Sequence, residues 1–104
     1  MSQPIYEIVT FRTHDRFSEQ DIHRRATGVQ TWIEQQPGYL ERSLLRGTDG
    51  EWVDLVKWST LDHAQAAAKL IGTVEAAGAF METIDGSTVV MRHAHPALAF
   101  NAAR

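Results

Sequence analysis

Four short runs in this chain carry large apolar side chains on both alternating parities, and that pattern restricts the fold more than any other feature. The runs are Ile5 to Arg12 (Ile5, Tyr6, Glu7, Ile8, Val9, Thr10, Phe11), Tyr39 to Arg46, Trp52 to Trp58 and Ser87 to His93. Successive strand residues point to opposite faces of a sheet. A run such as Trp52, Val56 and Trp58 on one parity with Val53 and Leu55 on the other therefore asks for cover on both sides.

The segments between the runs read as helices and turns. Ser18 followed by Asp21 resembles a capping box, and acidic Glu19 and Asp21 suit the positive end of a helix dipole. A helix is expected from Glu19, with Ile22, Ala26, Val29 and Ile33 as its buried stripe, ending at Pro37-Gly38. Gly47-Thr48-Asp49-Gly50 makes a hairpin of the second and third runs. Ser59 or Thr60 caps the next helix, whose stripe of Ala64, Ala67, Ala68 and Ile71 lets its backbone approach the sheet closely. Gly72-Thr73 interrupts it. Thr73 is expected to cap a short continuation bearing Val74, Ala77, Met81 and Ile84, and Asp85-Gly86 to turn into the last strand.

The order is β, α, β, β, a broken α, β, which predicts an α+β fold: a ferredoxin-like βαββαβ sandwich with a four-stranded antiparallel sheet. Right-handed crossovers put the helices on one face and leave the other bare. An apolar sheet face left bare favours association, so a homodimer through that face, a dimeric α/β barrel, is expected. One domain is expected over residues 1–104, with 96–104 a loosely held tail.

Composition removes several functional classes. There is no cysteine, hence no disulfide, thiolate metal site or catalytic thiol. The net charge is −3 with scattered arginines, which lacks the basic footprint of a nucleic-acid binder. No apolar run approaches the ~20 residues needed to span a bilayer, and the start shows no secretory signal, so no membrane association and a cytoplasmic location are expected.

The element order, the turn Pro37-Gly38-Tyr39-Leu40 and the segment Glu51-Trp52-Val53-Asp54-Leu55-Val56-Lys57-Trp58-Ser59 resemble the dimeric α/β-barrel superfamily that includes the antibiotic biosynthesis monooxygenases. The likeness runs from residue 4 to 95. It implies a homodimer with one small-molecule pocket per subunit, performing cofactor-independent monooxygenase-like chemistry on a small aromatic or polyketide-like acid. It also implies that Trp58 projects into that pocket. The superfamily includes haem degraders, but Thr73 stands near where their ligand histidine falls and no asparagine lies between Ile5 and Arg12, so haem degradation is not expected. The alternative is a non-catalytic small-molecule-binding or stress-responsive barrel of the same fold.

A monooxygenase without a cofactor needs a base, a cavity that excludes water and donors for an anion. Asp54 lies four residues from Trp58, on one strand face, and a carboxylate inside a covered strand is costly unless paired or useful. It serves as a catalytic candidate or pairs with an arginine on a neighbouring strand. His63, in the first turn of its helix, is the candidate base if it turns toward Trp58, and otherwise a surface residue. Tyr6 joins Trp58 as a candidate substrate contact, while Tyr6, Tyr39 and Trp52 also suit a core. Arg42 and Arg46, on one face with Leu40 and Leu44, could hold an anionic substrate or a carboxylate across the dimer. His93 and His95 lie two apart, and His14 and Asp15 could approach them, but spacing shows no third ligand, so neither metal nor cofactor is expected.

Overall fold

The computed structural model describes residues 3–102. The elements run β1 (Ile5–Thr13), α1 (Glu19–Ile33), β2 (Tyr39–Arg46), β3 (Trp52–Trp58), α2 (Leu61–Ile71), α3 (Glu75–Met81) and β4 (Ile84–Ala94). The strands form one antiparallel sheet in the order β2-β3-β1-β4. This is the α+β ferredoxin-like arrangement that the alternation of elements predicts.

The packing follows from two periodicities. Ile22, Ala26, Val29 and Ile33 are the buried residues of α1, spaced as one helical stripe. They meet one parity of the strands: Ile5 and Phe11 of β1 with Trp52, Val56 and Trp58 of β3. Ala77 and Phe80 of α3 complete this core, and the Phe80 ring stands edge-on to Phe11 with centroids 6.0 Å apart. Ser18 caps α1 as predicted, its side chain accepting from Asp21 N–H. Thr60 caps α2 in the same way through His63 N–H.

The opposite parity builds the other sheet face from Ile8, Val53 and Leu55, with Leu45 opposite Val53 and Val90 opposite Thr10. Leu45 and Val90 are about half exposed, at 48% and 54%.

The structure departs from the sequence reading at two places. Val74, not Thr73, precedes α3 and offers no side-chain cap; the Thr73 hydroxyl instead donates to Leu70 C=O at 2.7 Å, closing the end of α2. Asp85-Gly86 is no turn before β4. Ile84 and Asp85 already pair with Thr13 and Arg12, and Gly86 to Val89 stand opposite the single residue Phe11. That bulge is held where the Thr88 hydroxyl accepts Arg12 N–H at 2.8 Å. Residues 95–102 carry no regular secondary structure, and Leu98 and Phe100 are exposed there; the end of the expected tail, 103–104, lies outside the described residues.

Candidate functional site

Between the sheet and the helices lies a cavity of two lobes. The first, about 140 Å³, reaches Arg42, Asp54, Phe11 and Phe80. The second, about 190 Å³, reaches Trp32, Trp58, Ala67, Ala68 and Met91. Glu7, Val9, Ile33, Val56, Ile71 and Met81 line both. Ligand pockets start at roughly 300 Å³, so each lobe alone suits only part of a ligand. The second lobe exists because α2 meets the sheet through alanines. Ala64 is fully buried, but beyond it the short side chains leave space where close approach of the backbone was expected.

Polar groups in this wall are few and close together. Asp54 is paired with Arg42 on the neighbouring strand β2. Arg42 Nε and Nη2 donate to the two carboxylate oxygens at 2.9 and 2.8 Å. Its Nη1 donates to Ala26 C=O at 2.9 Å and to Gln30 Oε1 at 3.4 Å. Side chains this buried, 6% and 13% exposed, need such pairing, because an isolated charge in low dielectric is strongly penalised. Arg42 thus binds a carboxylate of its own chain.

Glu7 is the second carboxylate, on the helix-facing parity of β1 with Ile5, Val9 and Phe11. Its Oε2 lies 3.4 Å from His93 Nε2, the residue opposite it on β4. Burial pushes the Glu7 carboxyl above the ordinary glutamate range, a rise to which the Asp54 charge adds and which His93 opposes. Trp58 lines the second lobe, and its indole Nε1–H is buried without an acceptor, a state that costs free energy until something fills it.

The remaining sequence candidates lie elsewhere. His63 does not face Trp58 across the cavity. Its Nδ1 sits 3.0 Å from Ser59 Oγ and 2.9 Å from Thr60 Oγ1, and its ring lies against Gly38. The hydroxyls at the start of α2 hold it to the turn that leads into β2. Tyr6 has the parity of the other sheet face and stacks beneath Lys57, whose Nζ is 5.5 Å from its ring centroid. Trp52 is core, flanked by His23 and Arg46, and Arg46 pairs with Glu19 at 2.8 Å. His95 approaches Pro4 C=O at 3.1 Å, apart from the Glu7–His93 pair. No cluster of three His, Asp or Glu side chains able to hold a metal occurs among the described residues.

Solved structures share this arrangement. SnoaB from Streptomyces nogalater, a cofactor-independent oxygenase, superposes with a TM-score of 0.80 at 16% identity over 97% of this chain and 100% of its own. A Bordetella bronchiseptica protein provisionally named an antibiotic biosynthesis monooxygenase gives 0.74 at 17%, over 93% and 100%. The chain shares the fold of these two structures. The monooxygenase ActVA-Orf6 of Streptomyces coelicolor, solved with the ligand nanaomycin D, also has this fold, at a TM-score of 0.65 and 21% identity over 97% and 94%. No protein-family model and no curated protein matches the sequence.

Within this fold, Glu7 is the residue that strand-by-strand reading passed over, and His93 entered that reading only as half of a metal-binding pair with His95. The usable signal was parity: Glu7 interrupts Ile5, Val9 and Phe11 just as Asp54 interrupts Trp52, Val56 and Trp58. A measurable consequence follows from the raised Glu7 pKa. Below the unfolded value, near 4.3, both states hold the proton. As pH rises from there through the folded value the unfolded chain releases its proton first, so stability falls and then levels off. Urea unfolding midpoints of the native chain should therefore decline over that interval, and Glu7→Gln should flatten the decline. An unchanged slope in Glu7→Gln would show that this carboxyl is not the group responsible.

Proposed function

We propose that the chain is a cofactor-independent monooxygenase-like enzyme for a small aromatic or polyketide-like acid, working as a homodimer through the bare sheet face. One observation carries the reading: Glu7, the Asp54–Arg42 pair and Trp58, whose indole N–H is unpartnered, line a two-lobed cavity whose other walls are apolar. The shared fold with a cofactor-independent oxygenase and a ligand-bound monooxygenase supports it.

The chemistry uses the substrate as both reductant and oxygen acceptor. A methylene acidified by neighbouring carbonyl or phenol groups gives up a proton, and the electron pair left on carbon reduces dioxygen while a C–O bond forms. The O–O bond then breaks, the second methylene hydrogen leaves as a proton, and the products are a carbonyl and one water. The protein's part is to remove the first proton, exclude water and stabilise the anion. Trp58 Nε1–H is a donor for that anion. Asp54, clamped by Arg42, is a fixed polar wall. His63, bound at the Gly38 turn, is given no chemical step.

Dithranol, a neutral hydroxyanthrone, is a suitable probe in an oxygen electrode. The native protein should accelerate oxygen uptake above the spontaneous rate, and Trp58→Phe should lower kcat by about 10²-fold or more with the assembly unchanged by native mass spectrometry. Saturable dithranol binding with no added oxygen uptake would replace this reading with that of a ligand-binding barrel. A monomer at micromolar concentration would remove the dimer.

A further inference from the structure

Resting on that reading of the cavity, we propose that Glu7 is the catalytic base, that His93 is its positioning residue, and that the substrate is a neutral C–H or O–H acid. The position of Glu7 is the first argument. Glu7 lines both lobes, so a ligand in either lobe lies beside it. Asp54 borders the first lobe alone and both its oxygens already accept from Arg42, which weakens it as a base.

The surroundings of Glu7 are the second argument. The charged and titratable groups that face it are His93 on β4, 3.4 Å away, and the Asp54–Arg42 pair on β3 and β2. The helices contribute apolar walls: Ile33 of α1, Ile71 of α2 and Ala77, Phe80 and Met81 of α3. A carboxylate desolvated in this way is a stronger base than one in water, and a raised pKa brings it nearer the working pH. His93 Nε2 is buried and lacks a hydrogen-bond partner, although it is within ion-pairing distance of Glu7. A slight approach lets it hold the carboxylate toward the cavity.

The charge balance sets the substrate class. The guanidinium nitrogens of Arg42 are each engaged, by Asp54, Ala26 C=O and Gln30. A ligand carboxylate would face Glu7 and Asp54 without an uncommitted guanidinium to meet it. A neutral phenol or anthrone loses its proton only in the step itself: the substrate C–H or O–H bond breaks, the proton bonds to a Glu7 oxygen, and the electron pair stays on the substrate. His93 remains beside the carboxyl throughout.

Proton removal can be read without oxygen. Under anaerobic conditions in D2O, the native protein should speed deuterium entry into the dithranol methylene, followed by NMR. Glu7→Gln should bind dithranol within about twofold of the native Kd, by Trp fluorescence, yet lose 10²–10⁴-fold in exchange rate. Since His93 holds the Glu7 pKa down, His93→Gln should move the acid limb of the exchange profile to higher pH, a shift that mere loss of packing would not produce. Glu7→Gln exchanging at the native rate would overturn the proposal, and continued native oxygen uptake would then leave the oxygenase reading standing. Native protein that gives neither exchange nor oxygen uptake would overturn both. Tighter binding of anthracene carboxylates than of dithranol would overturn the substrate class.

Discussion

Arg42→Leu is expected to lower the unfolding free energy by about 3–5 kcal/mol, because it leaves the Asp54 carboxylate buried without its partner. The guanidinium also holds Ala26 C=O on α1, so the variant loses a link between sheet and helix as well. Urea denaturation at neutral pH measures the effect. The double variant Arg42→Leu/Asp54→Leu should recover most of it, since replacing a buried ion pair by apolar groups is often close to neutral. A single-variant cost below about 1 kcal/mol would mean that water screens the pair as it does at a surface.

Gly38→Ala should also be strongly destabilising, for two separable reasons. The backbone there has φ +82°, and holding a non-glycine residue in left-handed conformation costs roughly 1–2 kcal/mol. An added Cβ would in addition stand 2.4 Å from His63 Cγ and 2.6 Å from its Cβ, a distance that forces the start of α2 to shift. The total should fall at about 2–4 kcal/mol. Because the His63 Cβ itself clashes, His63→Ala should not rescue Gly38→Ala, whereas His63→Gly should return the steric part. Thermal unfolding of the three double and single variants reads this directly. Equal rescue by both would place the clash at the ring alone.

These two sites show what was legible in the sequence. Periodicity is a local property, so the strands at Tyr39 to Arg46 and Trp52 to Trp58, the stripe of α1 and the Ser18 cap were all readable without knowledge of partners. Asp54 and Trp58 were readable as a pair because both lie on one strand, and pairing of Asp54 with a neighbouring arginine was an available reading. What depends on register between distant segments was not readable. Glu7 meets His93 only because β1 and β4 align as they do across a long bulge, and Asp85-Gly86 has the composition of a turn although it lies inside a strand. His63 stays open in the sequence between a base and a surface residue, because nothing local reveals that the turn at Gly38 comes back to touch its ring. Tyr6 has the parity opposite to Trp58, which follows from the pairing of Ile5 with Trp58.

The alanines of α2 bear on how such a chain could change over generations. Ala67 and Ala68 form one wall of the second lobe, and neither supplies a group to the Asp54–Arg42 clamp or to the Glu7–His93 pair. A single codon change to valine at either position would reshape the space offered to a ligand while leaving those groups in place. On the proposed function, ligand size and reaction chemistry fall to different segments of the chain. Descendants could diverge in what they accept without first losing what they do to it.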